Sequence, residues 1–150
     1  MKKKILTLAT ALVVSGVMAQ DAGIVSRPSK FSVAETADRL ESAIKASGTY
    51  KLFLRLDHAA NAQEVGATLR PSQLILFGNP KGGAPLLESA PTLGLDLPNR
   101  ALVWEDASGK VWLTYNDVRQ LLGRHGVKRS EEQLKAIDDR QKALLDKAVE

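Results

Sequence analysis

Arg100-Ala101-Leu102-Val103-Trp104-Glu105-Asp106-Ala107-Ser108-Gly109-Lys110-Val111-Trp112-Leu113-Thr114-Tyr115 decides the fold. Two runs rich in aliphatic and aromatic residues flank a cluster of turn formers, so the stretch reads as two antiparallel strands joined by a hairpin. A four-residue loop over 106–109 puts Glu105 opposite Lys110 and Trp104 opposite Val111. Leu102, Trp104, Val111 and Leu113 then share one face, with Val103 and Trp112 on the other. A slip of one residue would exchange those faces.

Upstream, Tyr50 to Asp57 alternates, so Tyr50, Leu52, Leu54 and Leu56 are expected on one face and Lys51, Phe53, Arg55 and Asp57 on the other. Ser72 to Phe77 is apolar on both faces and reads as an inner strand. Gly23-Ile24-Val25-Ser26 reads as a first strand whose pairing Pro28 ends. Between these lies a helix. Ser32-Val33-Ala34-Glu35 forms a capping box, Val33, Ala37, Leu40 and Ile44 recur at helical spacing, and Gly48 closes the helix near residue 47.

After the hairpin, Asn116 is expected to cap a helix carrying Val118, Leu121, Leu122 and His125 on one face. There the ring of His125 meets the negative end of the helix dipole. A last helix starts at Ser130, with Gln133 completing a box. Leu134, Ile137, Leu144 and Leu145 lie on one stripe, and Glu131–Lys135 and Asp138–Lys142 form i,i+4 pairs. The stripe must dock on its own domain or on a partner. Gly78 to Asn99 holds four of the six prolines and is expected to be an irregular connection, a lid or an interface, with one helical turn at Leu86-Leu87. The order is strand, helix, four strands, helix and an added helix. That is an α+β arrangement, β-α-β4-α with an antiparallel sheet and helices on one face, plus a C-terminal helix.

The N-terminus predicts export. Lys2, Lys3 and Lys4 precede an apolar run from Ile5 to Val17, and Val17-Met18-Ala19 offers a cleavage site before Gln20-Asp21. The run has 13 residues, short of the roughly 20 that a membrane-crossing helix needs. Residues 1–19 are therefore read as a cleavable signal peptide, 20–128 as the α+β domain and 129–150 as a C-terminal amphipathic helix. The product is expected to be periplasmic or secreted, with no stable membrane span after cleavage. Of 21 Lys+Arg, three leave with the signal, so 18 face 17 Asp+Glu. Such a near-neutral balance gives no support for nucleic-acid binding. With no cysteine in the chain, disulfides, thiol catalysis and Cys-type zinc sites are excluded.

Phe77-Gly78-Asn79-Pro80, Gly82-Gly83-Ala84-Pro85-Leu86, Leu97-Pro98, Trp104-Glu105-Asp106 and Gly109-Lys110-Val111-Trp112, with Asp57-His58-Ala59-Ala60 and Leu69-Arg70-Pro71, resemble the domain of unknown function 302 family over residues 24–127. Ala84 departs from the pattern, which more often has threonine. The resemblance implies a fold similar to one copy of the TATA-box-binding-protein half, and a homodimer. It implies no reaction and no cofactor.

Candidate site residues fall into two groups. Asp57 and His58, with Glu64 nearby, could make an acid/base or metal site if the carboxylate orients the imidazole. The competing role is hydrogen bonding of a turn. Asn79, Lys81, Gly82 and Gly83 fail the phosphate-loop spacing, because Ala84-Pro85 stands where Lys and Ser/Thr are required. They remain candidates for binding in the proline-rich segment, as do Trp104 and Glu105. No metal site is assigned. The leading reading is a non-enzymatic homodimer that binds a small molecule or an envelope protein. The alternative is a metal-dependent or acid/base enzyme built on Asp57 and His58.

Overall fold

A computed structural model describes residues 23–150; the expected signal peptide lies outside them. Five strands form one sheet: β1 (Ile24–Pro28), β2 (Lys51–Asp57), β3 (Ser72–Gly78), β4 (Asn99–Glu105) and β5 (Val111–Asn116). Their spatial order is β1-β5-β4-β3-β2 and every neighbouring pair is antiparallel. The helices are α1 (Val33–Ala46), α2 (His58–Glu64), α3 (Pro80–Ser89), α4 (Val118–Arg124) and α5 (Glu131–Val149), with a short 3-10 turn at Pro91–Leu95. The expected α+β class, the antiparallel sheet, the helical layer on one face and the added C-terminal helix are all present.

The core lies between the sheet and the pair α1 and α5. Leu40 and Ile44 of α1, Ile75 and Phe77 of β3, Val103 of β4, Leu113 of β5 and Leu145 of α5 are completely buried there. Ser32 begins α1 by accepting from the Glu35 amide at 3.2 Å, and Gly48, at φ +63°, follows its end. Helix α5 docks on its own domain. It packs along α1, places Leu144, Leu145, Ala148 and Val149 in the core, and is tied to β1 by the Arg27–Asp146 ion pair.

Several sequence expectations are corrected. The hairpin pairs Glu105 with Val111, Trp104 with Trp112 and Val103 with Leu113. Its loop runs over 106–110 because the Asp106 amide donates to the Lys110 carbonyl at 2.9 Å, while Asp106 Oδ1 accepts from the amides of Ser108 and Lys110. Gly109, at φ +82°, supplies the left-handed residue that closes this turn. The extra residue exchanges the faces, so Val103, Val111 and Leu113 are core while Leu102, Trp104 and Trp112 lie on the opposite face. In β2 a bulge between Leu52 and Leu54 breaks the expected alternation. Tyr50 and Leu52 pack on the core, but Leu54 and Leu56 pair with Leu76 and Leu74 on the opposite face. On β1, Pro28 still pairs with Trp112; it sits on an edge strand, where the missing N–H is tolerated.

The helical connections also differ. Residues 58–64 are helical, and 78–99 holds α3 and the 3-10 turn instead of an irregular loop. Asp117, rather than Asn116, caps α4, accepting from the amides of Arg119 and Gln120; Asn116 is still a strand residue paired with Ile24. The box of Ser130 and Gln133 forms as expected. Glu131 pairs with Arg119 at 2.5 Å and Lys135 with Asp139 at 2.5 Å, leaving Asp138–Lys142, at 2.7 Å, as the expected pair that forms.

Candidate functional site

A second, smaller cluster sits beside the sheet. Leu93, Val118, Leu121 and Leu122 are buried there, with Leu86, Leu97, Leu134 and Ile137 packed around them. Between this cluster and the end of β3 lies a cleft of about 650 Å³. Its walls come from six places. Thr49, Tyr50 and Phe53 come from β2 and the turn before it, and Gly78 ends β3. Asn79 and most of α3 follow, then Leu97, Pro98 and Asn99 leading into β4. Val118, Leu121 and Leu122 of α4, and Arg129 with Ile137, Arg140 and Gln141 of α5, complete the lining.

Local sequence explains this arrangement. The Asn79 side chain accepts from the Gly82 amide at 3.2 Å and starts α3, with Pro80 in its first turn. A methyl group on Gly78 would lie 3.5 Å from Pro98 Cβ and 3.6 Å from a ring carbon of Phe53, so glycine leaves that corner of the cleft open. The Leu97–Pro98 peptide is cis. Tyr50 packs edge-on against Phe77, with ring centroids 5.7 Å apart. Burial pushes the Tyr50 hydroxyl up from its ordinary pKa, and the Arg140 charge acts in the opposite direction.

Among the described residues, no Asp, Glu, His, Lys, Ser or Cys lines the cleft. Its polar groups are amides, two hydroxyls and two guanidiniums. Arg129 donates to the Lys128 carbonyl at 3.0 Å. Gln141 is only 6% exposed, yet borders the cleft.

The candidates named from sequence separate. Asn79, Gly82 and Gly83 line the cleft, whereas Lys81, Trp104 and Glu105 do not. Asp57 caps α2, accepting from the Ala60 amide at 2.9 Å, and also accepts from Gln73 Nε2 at 3.0 Å. Chiefly through the Ala60 amide, its carboxyl is held below its ordinary pKa. His58 is the first residue of α2, and Glu64 is exposed at the helix's far end. Trp104 Nε1 donates to Thr114 at 2.8 Å and Trp112 Nε1 to Asp106 at 2.8 Å, so both indoles stiffen the hairpin. Among the described residues, no three His, Asp or Glu side chains are grouped to hold a metal ion.

The sequence reading missed Tyr50, Arg129, Arg140 and Gln141. A legible signal for two of them was the polar break that Arg140 and Gln141 make in the stripe between Ile137 and Leu144. It also missed His125, given a dipole contact alone. That ring is buried, with Nε2 2.7 Å from Asp96 Oδ2 and Nδ1 3.0 Å from Thr92 Oγ1. Arg100 and Arg124 each approach Asp96 at 3.3 Å. The hydroxyl–imidazole–carboxylate chain clamps the 3-10 turn to the end of α4, behind the cleft's second cluster.

The family model of the domain of unknown function DUF302 matches residues 25–149. Two relatives, each named fluoride-specific ion channel FluC 1, come from Brucella suis biovar 1 and Brucella abortus biovar 1. Both are 50% identical to the chain over 107 residues, 71% of its length. The chain spans 42% and 39% of those relatives. The crystal structure of an uncharacterized conserved protein DUF302 from Bacillus stearothermophilus superposes with a TM-score of 0.67. It is 20% identical, and the match covers 85% of this chain and 96% of that one, a likeness of fold.

Proposed function

The chain belongs to the domain of unknown function DUF302 family, and on that premise we propose that it is a non-enzymatic binding module, exported and homodimeric, that takes a small ligand. The observation that carries this reading is the 650 Å³ cleft. Its volume falls in the range of small-molecule sites, and it is largely apolar with a few converging polar groups. Its lining supplies no carboxylate, imidazole, amine or thiol, so the Thr49 and Tyr50 hydroxyls have no partner base among the lining residues. That favours binding over the acid/base reading of Asp57 and His58, where Asp57 is already engaged as a helix cap.

The homodimer reading is supported by the sheet face opposite α1 and α5. Leu54, Leu56, Leu74, Leu76, Leu102, Trp104 and Trp112 form a contiguous apolar surface there, and each is at least partly exposed. A second copy of the same face would bury it. Export rests on the N-terminal pattern of Lys2–Lys4 and the apolar run.

Native mass spectrometry of the protein recovered from the cell envelope tests these elements together. The expected species begins at Gln20, is a dimer and carries a small organic molecule. A metal-loaded species that turns over substrate would favour the enzyme instead. A ligand-free monomer beginning at Met1 would defeat the reading.

A second reading is favoured by the names of the relatives, in which the matched part is joined to further sequence. In it, the domain works alongside a fluoride channel. Among the described residues no helix is long and apolar enough to cross a membrane, so these residues would not themselves form the pore. A deletion strain that grows less well in fluoride supports this; unchanged fluoride tolerance counts against it.

A further inference from the structure

We propose that the cleft is built for an amphipathic anion, a molecule with an apolar chain and a single anionic head, of the class of medium-chain carboxylates. This rests on the reading of the cleft as a ligand site and adds to it the shape and charge of the ligand.

The apolar part follows from the lining. Phe53, Leu86, Leu97, Leu121, Leu122 and Ile137 present hydrocarbon to the cleft, so an aliphatic body gains by leaving water there. The charge follows from the arginines. Arg27, Arg55, Arg100, Arg119 and Arg124 all pair with carboxylates. Arg129 and Arg140, the two that line the cleft, pair with no carboxylate among the described residues, and no acidic residue lines the cleft. Two unneutralised guanidiniums repel a cationic head, and a neutral head leaves them without a counter-charge. A carboxylate can take two parallel N–H donors from one of them.

Uncharged donors stand near Arg140. Gln141, next to Arg140 on α5, is 6% exposed and takes part in none of the side-chain hydrogen bonds of the described residues. Its amide and the Tyr50 hydroxyl, which lies within the field of Arg140, can both donate to a carboxylate. The Gln141 amide and the Tyr50 hydroxyl, neither with a side-chain hydrogen bond among the described residues, are the partners that an incoming anion satisfies.

Isothermal titration of the folded protein with decanoate, decanol and decyltrimethylammonium, each below its micellar concentration, tests the proposal. These probes share a chain and differ in the head. Decanoate is expected to bind one per chain and at least about tenfold more tightly than the other two, the gain of one charge-assisted hydrogen-bonded contact. Arg140→Gln is expected to remove that preference without altering the melting temperature, and Arg140→Lys to restore part of it. Arg119→Gln, outside the cleft, is the control and leaves decanoate affinity unchanged. Equal affinity for decanoate and decanol overturns the anionic head while leaving a ligand site in place. Decanoate binding unaffected by both Arg140→Gln and Arg129→Gln also overturns it. Failure of all three probes to bind defeats the ligand-site reading as well.

Discussion

His125 Nε2 lies 2.7 Å from Asp96 Oδ2, joining the end of α4 to the 3-10 turn 29 residues earlier in the chain. The His125 hydrogen bond, followed by the charges of Arg124 and Arg100, holds the Asp96 carboxyl below its ordinary pKa. A carboxyl lowered in the folded state stabilises the fold fully above its unfolded pKa, and that contribution is lost as pH falls through the folded value. Melting temperature is therefore expected to drop below about pH 4, the ordinary carboxylate range. Asp96→Asn is expected to remove part of that acid dependence and to cost about 1–3 kcal/mol at neutral pH, through a buried His125 left poorly paired. A variant with unchanged neutral stability and the same acid slope would show that the clamp contributes nothing.

Asp57 and His58 separate a cap from a catalytic pair. Asp57→Ala is expected to destabilise by about 1 kcal/mol, the usual worth of a helix N-cap, in chemical denaturation. His58→Ala is expected to leave stability and ligand binding close to wild type. Loss of a measurable activity or of bound metal in His58→Ala, with the fold intact, would reinstate the enzyme reading.

Leu145 tests whether α5 is integral to the domain. It is fully buried against α1 and the sheet. Leu145→Ala is expected to cost about 2–5 kcal/mol, the range for an aliphatic side chain removed from a core. Truncation before Ser130 is expected to give a chain without a cooperative thermal transition, because Leu40 and Ile44 of α1 lose the helix that packs along them. A truncated chain that melts like the full one would make the helix an appendage.

The open face of the sheet gives a test of assembly. Leu102 lies in its middle, between Leu74 of β3 and Thr114 of β5. Leu102→Glu is expected to convert a dimer to a monomer in light scattering, with the sheet intact by circular dichroism. If the mass in solution does not change, this face is not where copies meet.

Much of the fold was legible because its signals are local. Ser32 with Gly48 marked α1, Ser130 with Gln133 marked the start of α5, and turn residues between apolar runs marked the hairpin. Each depends on hydrogen bonds or dihedral angles within a few residues. The hairpin register was not local in that sense. Whether Lys110 starts the strand or stays in the loop depends on the Asp106 carboxylate gathering the Ser108 and Lys110 amides and the Trp112 indole, and that one residue decides which face of β4 and β5 is core. The bulge at Phe53 likewise follows from pairing with β3, a segment remote in sequence.

The sequence by itself determined the α+β class, the order of the main elements, the absence of cysteine chemistry and three of the cleft's residues, Asn79, Gly82 and Gly83. Only tertiary structure decided that these face Tyr50, Phe53, Arg129, Arg140 and Gln141, and that His125 meets Asp96. The physical reason is separation along the chain. Caps and periodicity are interactions between neighbours in sequence, whereas a cleft walled by parts of three strands and three helices exists only after the core has fixed where those elements stand.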